Sequence, residues 1–222
     1  MRYIKKLKTK PNIHLVRGHI VHQTLHKFHK TAVGPMPLGM LRKKLVGIFY
    51  ELWEKNRCRL RALGISERRI AYFRDDSQRM LYHYSHWFYK RDMPVPDLTE
   101  ARIYSPNLRS MGIIDAICES IPKPILIDYK TSRLPVVTED MRRQAALYAL
   151  LYHDRYRRTP GAVWIHFLTT PSDPVPLDVD KQLLDYGRVL INYVRGKTHS
   201  TNEAAYPCTC GGGCKKDFFK RN

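Results

Sequence analysis

The sequence predicts an α/β fold, in which a central sheet is flanked by helices and preceded by an N-terminal helical region. Two short apolar runs, at 112–118 and 125–130, are joined by turn-prone residues, which is the pattern of two strands in a β-hairpin. A third apolar run, at 161–168, has the composition of a strand buried within a sheet. The longer segments around these runs have the periodicity of amphipathic helices.

The helices are expected from residue 18, over 40–63 and 66–91, from Thr138 to about 156, and over 180–195 with Val194 facing inward. A further strand is expected at 100–104, while 171–178 is expected to be a turn region. We expect one domain over 1–222. Its parts are a helical region at 18–95, a catalytic sheet and helix at 96–170, and a cysteine-containing tail at 200–222.

Each strand of the predicted hairpin carries an aspartate. Pairing Cys118 with Ile125 sets Asp115 opposite Asp128, and strand alternation puts Lys130 on the same face as Asp128. Facing carboxylates repel each other, but a cation between them removes this cost, since Mg²⁺ and Mn²⁺ prefer hard oxygen ligands. We therefore expect a metal site with Lys130 beside it, placed to orient a water molecule or to neutralise charge on a phosphate. The alternative is two solvated aspartates at strand ends.

Four motifs in a fixed order span most of the chain: Gly18 with His22, Gly112 to Asp115, Ile127 to Thr131, and Gln144 with Tyr148. Together they resemble the signature of PD-(D/E)XK nucleases in the RecB-like branch, which includes the RecB nuclease domain and the CRISPR-associated adaptation nucleases. The resemblance implies a restriction-endonuclease-like core with a mixed central sheet. It also implies a divalent-metal-dependent deoxyribonuclease, with exonuclease and endonuclease activity both open.

The resemblance implies a role for each motif residue. His22 would complete the metal coordination begun by the two aspartates of the hairpin. Gln144 and Tyr148 share one helix face because they stand four residues apart, and they would hold the DNA or the geometry of the metal ligands. Without the other motifs, the pattern would instead indicate that Tyr148 is a core residue and that Gln144 has no role in the site. Glu100, a carboxylate shortly before the hairpin, is a further candidate that could join the site through water. The implied catalytic residues are Asp115, Asp128, Lys130, Gln144 and Tyr148.

The charge of the chain points to a polyanionic partner. Lys and Arg number 39 against 20 acidic residues, a net charge of +19 spread through every segment. Aromatic residues are interleaved with basic ones at 66–91, which favours single-stranded or frayed DNA, although such aromatics more often form a core or line a groove. The alternative functions are a catalytically silent nucleic-acid-binding module and a subunit of an adaptation complex with protein partners. A homo-oligomer is also open.

Two further patterns concern the location of the protein. No run of 18 or more apolar residues occurs in the sequence, so we expect no membrane span. The basic N-terminal segment is not followed by an apolar stretch of the kind found in secretory signals. We therefore expect an intracellular, cytoplasmic protein.

Three of the five cysteines, Cys208, Cys210 and Cys214, lie close together near the C-terminus with glycines between them. Thiolates in such a run suit a soft metal. Several RecB-like nucleases hold an iron–sulfur cluster with one upstream and three C-terminal cysteines, and the resemblance implies a [4Fe-4S] cluster here with Cys58 as the fourth ligand. The spacing departs from that layout, so a zinc site and free thiols are the alternatives.

Overall fold

The computed structural model describes residues 12–31, 34, 36–90 and 95–197, and the described residues form six helices and five strands. The helices are α1 (Ile13–Thr31), α2 (Leu38–Lys55), α3 (Arg57–Arg61), α4 (Glu67–Lys90), α5 (Glu139–Tyr156) and α6 (Lys181–Lys197). The strands are β1 (Leu98–Ser105), β2 (Ser110–Cys118), β3 (Ile125–Lys130), β4 (Ala162–Phe167) and β5 (Val175–Asp178).

The five strands form one mixed sheet in the order β1-β2-β3-β4-β5. All neighbouring strands are antiparallel except β3 and β4, which are parallel. A parallel pair needs a crossover connection, and α5 supplies it because it lies between β3 and β4 in the chain. The predicted mixed sheet flanked by helices is confirmed, as is the hairpin register that pairs Cys118 with Ile125.

The sheet separates two hydrophobic cores. Helices α1, α2 and α4 pack on one face, and α5 and α6 pack on the other. Strand β4 shows the alternation that divides them: Val163, Ile165 and Phe167 belong to the core under α5, whereas Trp164 and His166 contact Trp87 of α4. Strand β3 alternates in the same way. Ile127 and Tyr129 belong to the core under α4, so Asp128 and Lys130 face the α5 side of the sheet.

Some predicted element bounds need correction. Helix α1 begins at Ile13 rather than Gly18. The long helix expected over 40–63 is interrupted at Asn56, whose side-chain amide donates a hydrogen bond to Leu52 O (2.9 Å) and so competes with the helical pattern. The predicted cap of α5 is confirmed, because the Thr138 hydroxyl accepts a hydrogen bond from the backbone N–H of Met141 (3.3 Å).

The turn predicted over 171–178 is wrong for its last four residues, which form β5, antiparallel to β4. Prolines led to the turn prediction because a proline cannot donate a hydrogen bond to a β-ladder. Pro176 is nevertheless tolerated, since β5 lies at the edge of the sheet and one side of the strand needs no partner.

Helix α6 packs on α5 through Leu184, Gly187 and Ile191. Gly187 permits close approach, since a Cβ at this position would lie 2.8 Å from the carbonyl oxygen of Ala146. The helix therefore turns its glycine toward α5, and Val194, which was expected to face inward, is 53% exposed. Among the described residues, no helix is both long enough and apolar enough to cross a membrane.

Two histidines are buried in the core between the sheet and the N-terminal helices. His29 lies with Nε2 2.6 Å from the hydroxyl of Tyr84, and His166 packs edge-on against Trp87 with ring centroids 4.4 Å apart. Burial lowers the pKa of His29 to about 4 and that of His166 to about 3. Both imidazoles are therefore neutral in the folded protein near pH 7.

We predict that acid destabilises the protein through these histidines. In the unfolded chain each titrates near its ordinary value of 6.5, so the unfolded state gains protons first as the pH falls. Each histidine should lower the free energy of unfolding by up to about 1.4 kcal/mol per pH unit below about pH 6. Urea unfolding followed by circular dichroism at several pH values measures this slope. His166→Phe should make it shallower, and an unchanged slope would contradict the assignment.

Candidate metal centre

The predicted hairpin opens at the two aspartates. The β2–β3 ladder contains only the pairs of Ala116, Ile117 and Cys118 with Ile127, Leu126 and Ile125. Continuing this register places Asp115 opposite Asp128, as predicted. At this position, however, a hydrogen bond to the side chain of Asp115 replaces the backbone ladder. Its Oδ2 accepts a hydrogen bond from the backbone N–H of Tyr129 at 2.8 Å. The carboxylate of Asp115 is thus held in the gap between the two strands.

Strand β1 is distorted at the same level of the sheet. Its ladder with β2 pairs residues on both sides of Glu100 but not Glu100 itself, whose φ is 50°. This left-handed backbone costs a residue other than glycine about 1 kcal/mol or more. In β2, Ile114 and Ile117 pack in the same core although they are three residues apart, so the strand alternation is also broken around Asp115. These two irregularities bring the side chains of Glu100 and Asp115 together.

Helix α1 adds an imidazole to the two carboxylates. The Nδ1 atom of His22 lies 3.0 Å from Oδ1 of Asp115. Each of His22, Glu100 and Asp115 has a potential ligand atom within 4.8 Å of those of the other two. The structure therefore brings His22 and Asp115 together as the motifs implied. Glu100, a candidate to join the site through water, has its carboxylate within the same cluster.

This set of donors fits a divalent cation of the magnesium or manganese type. Carboxylate oxygens are the ligands these ions prefer, and imidazole is an acceptable addition for manganese. Ligand atoms around one such ion lie about 3–4 Å apart, so little movement of the three side chains is needed. Burial by itself lowers the pKa of His22, but the charge and hydrogen bond of Asp115 outweigh it and raise that pKa overall. A metal ion at His22 therefore competes with a proton for the imidazole.

The other predicted site residues, from Asp128 to Tyr148, are linked on the α5 side of the sheet by one ion pair and two hydrogen bonds. Asp128 Oδ2 lies 2.6 Å from Nζ of Lys130. Lys130 donates to Oε1 of Gln144 at 2.7 Å, and Gln144 donates through Nε2 to the hydroxyl of Tyr148 at 2.7 Å. In this structure Asp128 pairs with Lys130 rather than joining the cluster around His22.

Asp128 is the most buried of the carboxylates in the site, since its side chain is only 4% exposed. Burial raises its pKa to about 6, and the nearby charge of Asp115 adds to this effect, although Lys130 acts in the opposite direction. An additional positive charge near Asp128 would stabilise its ionised carboxylate. The electrostatic position of Asp128 is thus compatible with a role next to a bound cation.

Two motif glycines allow the surrounding elements to approach the site. A Cβ at Gly112 would lie 2.8 Å from Leu151 Cδ1 and 3.4 Å from Tyr148 Cε1, so the absence of a side chain lets α5 lie against β2. A Cβ at Gly18 would lie 3.3 Å from the hydroxyl oxygen of Thr131. Gly18 therefore lets α1 approach the residue that follows β3.

Arg17 holds the same contact between α1 and β3. Its guanidinium is fully buried, with NH1 2.5 Å from Asp76 Oδ2 in α4, and NH2 donates to the carbonyl oxygen of Thr131 at 2.6 Å. Because Thr131 follows Lys130 directly, Arg17 ties the C-terminal end of β3 to the helix that carries His22. Sequence reasoning missed this residue. The available signal was its place on the apolar stripe of α1, at helical spacing from Ile13 and Ile20.

The aromatic residues expected to form a surface at 66–91 are divided between core and surface. Phe73, Tyr84 and Trp87 are buried, whereas Tyr72, Tyr82 and Tyr89 remain exposed. Helical periodicity decides this division, since the buried members lie on the apolar stripe of α4.

For the predicted cysteine cluster, the structure describes only Cys58, whose thiol is exposed on α3. Its three expected partners, Cys208, Cys210 and Cys214, lie outside the described residues. The buried Cys118 lies in the core under α4, where burial raises the pKa of its thiol to about 12.

We predict that Arg17→Met lowers the free energy of unfolding by about 3 kcal/mol, because it leaves Asp76 and the Thr131 carbonyl without a buried partner. Arg79 binds the other oxygen of Asp76 at 2.9 Å but is mostly exposed, so Arg79→Met is a matched control that should cost less than about 1 kcal/mol. Urea unfolding measures both. Equal losses would show that the buried contact with β3 adds nothing.

Comparison with known proteins places the chain in a family. A search among curated proteins finds no match. The family model of the PD-(D/E)XK nuclease superfamily, however, matches residues 1–215, which include the cluster of His22, Glu100 and Asp115 and the chain from Asp128 to Tyr148. A match over nearly the full length, together with the mixed sheet and the opened hairpin, shows that this protein belongs to the PD-(D/E)XK nuclease superfamily.

Proposed function

We propose that the protein is a divalent-metal-dependent DNA nuclease of the RecB-like branch, which hydrolyses phosphodiester bonds. The observation that carries this proposal is the arrangement around Asp115. A cluster of one imidazole and two carboxylates lies at the opening of the hairpin, and a buried carboxylate–lysine pair lies next to it. A nucleic-acid-binding module without catalysis has no use for such a concentration of carboxylates within a strongly basic protein.

His22, Asp115 and Asp128 would hold Mg²⁺ or Mn²⁺, with Glu100 as a further carboxylate in reach. When bound, the metal lowers the pKa of a water molecule and polarises the phosphate. Lys130 contributes a positive charge whose direction is set by Asp128 and Gln144. It is therefore placed to stabilise the negative charge that grows on the phosphate during hydrolysis.

Gln144 and Tyr148 act on Lys130 rather than on the phosphate in this proposal. Burial raises the pKa of the Tyr148 hydroxyl above its ordinary value of 10, so the group stays protonated near pH 7 and serves as a hydrogen-bonding partner. By accepting from Gln144, it turns the amide oxygen of that residue toward Lys130. This support keeps the lysine side chain from adopting other rotamers.

We further propose that Cys58, Cys208, Cys210 and Cys214 hold a structural metal centre, either a [4Fe-4S] cluster or zinc. The resemblance to RecB-like nucleases supports this assignment, and the exposed position of the Cys58 thiol leaves it accessible to the C-terminal cysteines. No catalytic step depends on this centre. Iron and zinc analysis of anaerobically purified protein distinguishes the two metals.

We predict that Asp115→Asn and Lys130→Gln each reduce metal-dependent cleavage at least about 100-fold, since even outer-shell partners of metal ligands contribute 10- to 100-fold. DNA affinity should change little, because distributed lysines and arginines contact the phosphates. Asp178→Asn, at an exposed position of the edge strand β5, is the matched control and should cut normally. Rates are measured on linear and circular DNA, single- and double-stranded, with Mn²⁺, Mg²⁺ or chelator.

Two outcomes would contradict the proposal. Metal-dependent cutting that survives in the Asp115→Asn variant would exclude this residue from the chemistry. A wild-type protein that binds DNA but cuts none of the substrates with either metal would favour a silent binding module instead.

A further inference from the structure

A groove lies beside the hydrogen-bonded chain that ends at Tyr148. It runs between the start of β2, α5 and α6, and its volume is about 500 Å³. Gln144 and Tyr148 form part of its wall, so the groove begins where the proposed catalytic residues end. The rest of its surface is mainly apolar, and the apolar lining residues used below are Met111, Leu147 and Val194.

The apolar surface of this groove is open to solvent. Met111 at the start of β2 is 55% exposed, and Val194 on α6 is 53% exposed. Their exposure follows from the packing of α6, which turns Gly187 and Ile191 toward α5 and leaves Val194 at the edge of the groove. Exposed apolar side chains that line a shared concave surface are typical of ligand-binding sites, and the volume lies within the usual range for such sites.

The charged residues that line the groove are all arginines. Arg109, Arg143 and Arg195 are among the residues that line it, and none of the described lining residues is a carboxylate. Arg143 also lies 3.0 Å from Asp140, and Arg195 donates to the carbonyl oxygen of Leu108, so two of these guanidinium groups are held near the groove by other contacts. An apolar floor edged by guanidinium groups suits a flat apolar ring attached to a phosphate.

We propose that this groove binds an unpaired nucleobase of a DNA single strand, while the arginines at its edge bind the neighbouring phosphates. This proposal rests on the proposed nuclease function and names a substrate subsite for it. The strand would run from the groove past Tyr148 and Gln144 toward Lys130. A base that is stacked and paired in a duplex cannot enter such a groove, so occupancy requires single-stranded or frayed DNA.

Binding of a base is tested without cleavage, on the full chain in the presence of chelator, by the anisotropy of a fluorescein-labelled oligothymidylate. Val194→Glu places a negative charge in the groove. Val189→Glu is the matched control, because Val189 is a 62% exposed residue of the same helix that does not line the groove. We expect Val194→Glu to weaken binding about tenfold, and Val189→Glu less than about twofold, since base contacts and local phosphate contacts are lost only in the first.

A second measurement identifies the base. A single abasic site is moved along the oligonucleotide, and at one position it should weaken binding to the wild-type protein about fivefold. The same abasic site should have no further effect on the Val194→Glu variant, because the abasic site and the substitution remove the same contact between the base and the groove. Met111→Glu, on the opposite side of the groove, should behave like Val194→Glu and replaces it if that variant does not fold.

Equal affinities of the two valine variants, or an abasic series without any sensitive position, would overturn the subsite. These results are independent of catalysis. A wild-type protein that binds the oligonucleotide with the expected variant pattern but never cuts would overturn the nuclease function and leave the subsite standing. A wild-type protein that cuts DNA, with Val194→Glu and Val189→Glu variants that bind the oligonucleotide equally well, would overturn the subsite and leave the nuclease function standing.

Discussion

The position of one carboxylate, that of Asp115, governs the arrangement of the whole site. It lies in the gap where β2 and β3 separate, where it binds the backbone of β3 through Tyr129 and the imidazole of His22. A buried charge is unfavourable unless partners surround it. The partners of Asp115 come from α1 and β3, so these two separate parts of the chain must meet at one point for the charge to be tolerated.

The N-terminal helices provide more than a cover for the sheet. His22 and Asp115 are 93 residues apart in the sequence. Without contacts that fix α1 against the sheet, the imidazole would not stay within hydrogen-bonding distance of the carboxylate. Arg17 and Gly18 supply the support, one by a buried ion pair and a bond to Thr131, the other by close approach to the same residue. Buried ion pairs contribute more to a unique arrangement than to stability in some proteins, and that is the role this geometry suggests for Arg17.

The electrostatics of the protein divide into a basic exterior and an acidic centre. The net charge of +19 draws nucleic acid toward the surface. At the opening of the hairpin, however, Glu100 and Asp115 lie together and Asp128 lies beside them. Carboxylates at this density repel a phosphate, and Lys130 alone cannot neutralise them. A divalent cation bound here, as proposed, would resolve the conflict, because it would satisfy the carboxylates and attract the phosphate at the same time.

The amino-acid sequence by itself determined the hairpin and its register, because period-2 alternation and turn residues are local signals. It also determined which residues of the family motifs are present. Only the tertiary structure decided the direct place of Glu100, since the left-handed backbone there depends on the pairing of β1 with β2. The same holds for Pro176 in β5, where an edge position overrides local preference. The groove beside Tyr148 likewise depends on how α6 packs on α5 through Gly187, a contact between distant segments that no local pattern specifies.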